Sequence, residues 1–169
     1  MKIALIGYRG TGKSTIGRLV AESTGLELAN LDALIIEKAG MSIPMIVENY
    51  GWDQFRDIET QVLEETVEKD NLLLDCGGGI IIRPENREIL LRTAEVFWLT
   101  ASVETIARRI SGDNQRPSLT GKSFVEEIAE VLKEREPLYR RSSAHVIDTD
   151  AVDAKEAARR ILGLSGLGK

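Results

Sequence analysis

The 169-residue chain has one cysteine and one histidine. A single thiol excludes an intrachain disulfide framework and any multi-cysteine metal site. A single imidazole argues against a histidine-built metal centre. Positive charge is also in short supply: 22 Lys and Arg stand against 27 Asp and Glu, a net charge of −5. Broad attraction to nucleic acid or to an anionic membrane is therefore not expected. Long apolar runs are missing; stretches such as Ile80 to Ile82 are far too short to span a bilayer. The opening Lys2 to Gly7 runs into a glycine turn after a short apolar stretch, which does not fit a secretory leader. Internal repeats, low-complexity tracts and linkers are absent as well. What is present is 43% hydrophobic content, enough for a real core. The expectation is one cytoplasmic domain over residues 1–169, whose chemistry must come from Asp, Glu, Arg, Lys and backbone amides.

Apolar and amphipathic stretches alternate along the chain. Lys2 to Ile6, Leu72 to Leu74, Val96 to Leu99 and His145 to Ile147 read as short buried strands, with Glu27 to Ala29 a weaker one. Helical spacing joins Ile16, Leu19, Val20 and Ser23; Ile58, Val62, Leu63 and Val67; Val103, Ile106, Ala107 and Ile110; and Ala154, Ala157, Ala158, Ile161 and Leu162. This alternation predicts an α/β domain with a parallel sheet covered on both faces. Ligands of such sheets bind at the carboxyl ends of the strands. The glycine-rich tail, 163–169, is expected to fray.

Gly7-Tyr8-Arg9-Gly10-Thr11-Gly12-Lys13-Ser14 fits G-x-x-x-x-G-K-[ST] between a strand and an amphipathic helix, the context that gives the pattern meaning. Glycines let the backbone wrap an anion with its N–H groups inward, and the helix N-terminus adds positive potential. Gly10, Thr11, Gly12, Lys13, Ser14 and Thr15 are the expected nucleotide-binding residues, with Lys13 reaching the β- and γ-phosphates and Ser14 ligating Mg²⁺. An N-K-x-D guanine-reading segment is absent. The short chain favours a kinase of nucleotides or small molecules.

Four further segments stand after the predicted second strand: Phe55-Arg56-Asp57-Ile58-Glu59, Asp75-Cys76-Gly77-Gly78-Gly79, Arg116-Pro117-Ser118-Leu119 and Pro137-Leu138-Tyr139-Arg140-Arg141, with Asp32 ahead of them. In order and spacing, from Gly7 to about Asp148, the chain resembles the shikimate kinases. The resemblance implies a nucleoside-monophosphate-kinase-like P-loop fold: three layers around a five-stranded parallel sheet in order 2-3-1-4-5, an acceptor-binding segment at about 31–61 and a lid at about 112–124 hinged at 111–114. It implies ATP and Mg²⁺ as cofactors, shikimate as the small-molecule partner phosphorylated on its 3-hydroxyl, a place in aromatic amino-acid biosynthesis, and a monomer.

Residue by residue, the resemblance implies that Asp32 accepts hydrogen bonds from ring hydroxyls beside the reacting one. Arg56 and Arg140 clamp the carboxylate, Gly78 adds a backbone contact, and Glu59 holds Arg56. Arg116 reaches the transferring phosphoryl group from the lid, and Arg109 stacks on adenine. The chemistry is consistent with this: a planar guanidinium binds a carboxylate bidentately, and a carboxylate accepts from hydroxyls. Plainer readings fit single residues. Asp32 suits a helix N-cap, Arg56 and Glu59 a solvated i,i+3 pair, Arg140-Arg141 an exposed helix end, and Arg116 an ordinary loop. Quinate or gluconate as acceptor, a ligand-sensing regulator, and a GTP switch are the rival functions.

One departure from the family pattern stands out. The family usually has two aspartates separated by one residue after the second strand, the first near the Mg²⁺ hydration shell; here that position is Asn30. Asp75, in contrast, ends the run Leu72-Leu73-Leu74 where a small neutral residue is usual. The reading is a relocated charge, with Asp75 serving the metal through water; the alternative is that Asp75 caps the glycine turn. Cys76, His145, Trp52, Trp98, Arg159 and Arg160 are expected to be structural or solvated, as is the charged face from Glu126 to Glu136, Arg135 included.

Overall fold

The computed structural model describes residues 1–111 and 123–168. The elements follow the predicted alternation: β1 (Lys2–Ile6), α1 (Lys13–Thr24), β2 (Glu27–Asn30), α2 (Leu31–Ala39), α3 (Ile43–Thr66), β3 (Leu72–Asp75), α4 (Pro84–Thr93), β4 (Glu95–Thr100), α5 (Val103–Ile110), α6 (Phe124–Arg141), β5 (His145–Asp148) and α7 (Ala154–Leu164). The five strands form one parallel sheet in the order β2-β3-β1-β4-β5, as expected.

Alternation along the strands divides the core. Ala4, Ile6, Leu72, Leu74, Val96 and Trp98 face one side, where they meet Ile35, Phe55, Leu63, Leu90 and Tyr139 from the helices. Ile3, Leu5, Leu73, Phe97, Leu99 and Ile147 face the other, against Ile16 and Val20 of α1 and Ala157, Ala158 and Ile161 of α7. Burial on both faces explains why the central strands read as continuous apolar runs. Every strand but the central β1 ends on a polar residue, Asn30, Asp75, Thr100 or Asp148, at the carboxyl edge of the sheet.

Two helices escaped the sequence reading. α2 has buried residues only at Leu31 and Ile35, too few to set a period. α4 is polar overall, but it carries Pro84 in its first turn, Glu85 beside it and Arg92 in the last turn, which are start and stop signals. The acceptor-binding segment expected at about 31–61 consists of α2 and most of α3, which breaks at Gly51 (φ 85°, ψ 170°). Most of the expected lid, with Arg116 and the hinge after Ser111, lies outside the described residues. The tail departs from the expected fraying: Leu167 and Gly168 donate backbone N–H groups to the Leu162 carbonyl at 3.0 Å, and Leu167 packs on the α1–α7 side of the core.

α1 sits close on the sheet because Gly17 has no side chain. A Cβ there would lie 3.1 Å from Leu73 and 3.3 Å from Leu5. Since α1 carries Lys13 and Ser14, this contact also sets the phosphate loop. Gly17→Val is expected to lower stability by about 1–3 kcal/mol through overpacking, read as an earlier urea midpoint with an unchanged slope.

Candidate active site

The loop from β1 to α1 closes over the sheet's carboxyl edge. A Cβ on Gly7 (φ 142°) would fall 2.4 Å from the Leu99 carbonyl oxygen, so only glycine fits that first turn. Lys13, buried at the start of α1, donates to the carbonyls of Gly7 at 2.8 Å and Tyr8 at 2.9 Å. Thr11 Oγ1 donates to the Tyr8 carbonyl at 2.8 Å. Ser14 Oγ donates to Asp75 Oδ2 at 2.6 Å, and Asn30 Nδ2 donates to the same oxygen at 3.1 Å. Burial raises the Asp75 carboxyl above its ordinary range, opposed by the Ser14 hydrogen bond and the Lys13 charge.

A cleft of about 470 Å³ joins these groups. Its walls include Lys13, Ser14 and Thr15, then Asn30 and Asp32, then Asp75, Gly77 and Gly78. Two binding fields therefore share one opening: a phosphate cradle, and a second wall of carboxylate and glycine. Asp32 is the second residue of α2 and is not its cap. Asn30 is the cap, its Oδ1 accepting from the Ala33 N–H at 2.9 Å. This corrects the capping alternative for Asp32 and leaves its carboxylate on the cleft wall.

Arg56 and Glu59 are no solvated pair. Both are buried in α3, Nη1 to Oε1 at 2.8 Å. The guanidinium lies 5.0 Å from the Phe55 ring centre and 5.6 Å from that of Trp52. It rests on the glycine turn: a Cβ on Gly79 would sit 2.4 Å from both terminal nitrogens. Gly78 is less crowded, its nearest neighbours being Arg9 N at 3.4 Å and Arg135 Nη1 at 3.5 Å from such a Cβ. Tyr139 Oη donates to the Gly78 carbonyl at 2.5 Å. Burial drives the Tyr139 hydroxyl up to about 12, against the nearby Arg135 charge and hydrogen bond.

Arg140 stands apart from the glycine turn. It is exposed, ion-paired with Glu136 at 3.2 Å and placed over Trp98 at 5.2 Å, and it lines a separate cavity of about 300 Å³ with Tyr8, Thr11 and Trp98. The second guanidinium at the glycine turn belongs to Arg135, which also lies over the Tyr8 ring at 6.0 Å. Sequence reading had placed Arg135 on a solvated face. Arg9 was missed too: it lines the cleft, and its Nη1 is buried with no hydrogen-bond partner among the described residues.

Arg109 is held at the outer edge of the phosphate loop, donating to the Gly10 carbonyl and to Thr149 Oγ1, both at 3.1 Å. Cys76 is buried, and burial pushes its thiol well up, which fits a structural residue. His145 pairs with Glu95 at 2.8 Å and stacks on Phe97, away from the cleft lining.

Comparison with known proteins points to one family. A family model described as "Shikimate kinase" matches residues 9–164. The shikimate kinase of Nitratidesulfovibrio vulgaris is 39% identical over 153 residues, covering 89% of this chain and 87% of the relative. Among solved structures, shikimate kinase from Acinetobacter baumannii in complex with shikimate superposes with a TM-score of 0.94 at 38% identity, over 99% of this chain and 94% of that one. Shikimate kinase from Aquifex aeolicus gives 0.81 at 28% identity, over 98% and 97%.

The glycine turn supplies a steric test. Gly79→Ala is expected to displace the Arg56 guanidinium and cost about 1–3 kcal/mol, while Gly78→Ala, which meets only ordinary contact distances, costs less. Denaturant unfolding of both variants, with a crystal structure of the first, checks this.

Proposed function

The chain belongs to the shikimate kinase family, and from that premise we propose that its acceptor is held by Arg56, Arg135 and Asp32 opposite the phosphate loop. The protein is an ATP-dependent shikimate 3-phosphotransferase. The observation that carries the site assignment is the approach of two guanidinium groups, from α3 and α6, to the same triple-glycine turn.

Arg56 is pre-aimed by its bond to Glu59 and by the Gly79 backbone beneath it. Together with Arg135 it binds the shikimate carboxylate through charge-assisted hydrogen bonds. Tyr139 ties α6 to the turn through the Gly78 carbonyl, so Arg135 is held at a fixed height above it. Asp32, across the cleft, accepts from the ring hydroxyls, orients the 3-hydroxyl and takes its proton as the bond to phosphorus forms. Lys13 spans the transferred phosphoryl group and its leaving group once nucleotide oxygens replace the loop carbonyls as acceptors. Arg116, beyond the described residues, supplies a further cation from the lid, and Arg109 contacts the nucleotide beside Gly10.

Magnesium fits the corner between Ser14 and Asp75. Both offer hard oxygen donors, and among the described residues no group of three His, Cys, Asp or Glu competes to cage an ion. Such a setting suits a cation that keeps several waters and phosphate oxygens. When bound, the ion neutralises charge developing on the β- and γ-phosphates. We place the enzyme in the cytoplasm as a single-domain monomer with no nucleic-acid or membrane partner. The net charge of −5 argues against a nucleic-acid partner, and no described helix is long and apolar enough to cross a membrane.

Coupled measurement of ADP release is expected to show turnover only when shikimate is added, with quinate and gluconate far slower. Nucleotide and shikimate binding without ADP would instead indicate a sensor. Arg135→Ala is expected to raise the KM for shikimate about thirtyfold or more, equivalent to about 2 kcal/mol. Arg140→Ala is expected to leave that KM within about twofold, the usual scale of an exposed ion pair. Steady-state kinetics of the two variants decide between the arginines.

A further inference from the structure

We propose that Asn30 and Asp75 act as one unit: a single carboxylate shared between two neighbouring strand ends seats the divalent cation, and the neutral residue at 30 is a positioning residue for it. The inference rests on the kinase reading above and concerns how this chain distributes charge at the metal corner.

Three observations carry it. First, Asn30 and Asp75 are direct partners in the parallel pairing of β2 with β3. Residues at one register position on adjacent strands project to the same side of the sheet, so each side chain is the other's obligatory neighbour. Second, the amide of Asn30 has a fixed direction. Its oxygen accepts from the Ala33 N–H at 2.9 Å, as the cap of α2, so its NH₂ is the end that meets Asp75. Third, Asp75 Oδ2 receives both Ser14 and Asn30. Among the described residues Oδ1 accepts no hydrogen bond, so this second oxygen remains for the hydration shell of a cation next to Ser14.

The arrangement admits one negative charge. A carboxylate at 30 would still cap α2, because Asp caps as well as Asn. It would, however, face Asp75 across hydrogen-bond distance with no proton between them, and like charges so placed repel. Exchanging the two residues removes that conflict. The N30D/D75N variant keeps one carboxylate, one amide, the hydrogen bond between them in reversed direction, the helix cap and a partner for the Ser14 hydroxyl. The two strand ends are thus interchangeable hosts for one charge.

The test is a titration of the ADP-bound protein with Mn²⁺, followed by electron paramagnetic resonance, alongside calorimetry of ADP binding without metal and thermal melting. Asp75→Asn is expected to weaken Mn²⁺ binding about tenfold or more beyond any change in metal-free ADP affinity. Asn30→Asp is expected to lower the melting temperature of the metal-free protein. The double exchange is expected to recover both, Mn²⁺ affinity returning to within about threefold of the parent, a non-additive outcome. Parent-like Mn²⁺ binding by Asp75→Asn overturns the role of Asp75. A double variant no better than Asp75→Asn overturns the interchangeability. If Asp75→Asn does not fold, Asp75→Ser, alone and with Asn30→Asp, makes the same comparison. Failure of the kinase reading appears separately, as absence of shikimate-dependent ADP release by the parent.

Discussion

The parallel pairing of β3 between β1 and β2 is the constraint on which the site depends. In that register Leu5 and Asn30 both stand beside Asp75. The chain leaving β1 becomes the phosphate loop, the chain leaving β2 starts the helix bearing Asp32, and the chain leaving β3 becomes the glycine turn. Three loops meet at one edge because three strands end there. A slip of one residue in β3 would turn Asp75 toward the opposite face and bring an apolar side chain to Ser14. Burial of Leu72, Leu73 and Leu74 on both sheet faces makes such a slip costly.

Charge inside this edge is arranged so that each buried ion meets a partner. Lys13 lies against carbonyl oxygens, Arg56 against Glu59, and Asp75 against a hydroxyl and an amide. Removing one partner of a buried pair costs more than the pair itself contributes. The arrangement therefore specifies geometry more than it adds stability. It also holds cations close to where two anionic ligands must approach one another. Coulomb repulsion between those ligands would otherwise oppose their meeting in a low-dielectric cleft.

Much of this was legible in the residues. The strands and the phosphate loop followed from apolar runs, helical spacing and the G-x-x-x-x-G-K-S pattern, since each is local in the chain; the strand order is not local and came only with the family resemblance. The burial of Arg56 with Glu59 has a local sequence signal in the adjoining Trp52 and Phe55, which flank the guanidinium. Asn30 as the cap of α2 was not legible, because the strand runs straight into the helix and two candidate caps stood two residues apart. α2 itself shows only two buried positions, so its period is hidden. Arg9 could not be placed because the fixed residues of a phosphate loop say nothing of where a variable one points.

The different settings of Arg135 and Arg140 follow from the residue between them that faces the sheet. Tyr139 is the fixed point of α6: it is fully buried, stacked on Trp98 and bonded to the Gly78 carbonyl. Once Tyr139 is known to face the sheet, helix geometry decides the rest. Residues four apart share a face, and adjacent residues are turned by about 100°. Arg135, four before Tyr139, must rise over the same glycine turn. Arg140, the next residue, is carried round to the outer side of Trp98, where Glu136 meets it one turn earlier. The buried tyrosine in Pro137-Leu138-Tyr139-Arg140 thus decides which arginine of α6 meets the glycine turn. A phenol with one apolar face and one polar end is the side chain suited to tie a helix to a backbone carbonyl.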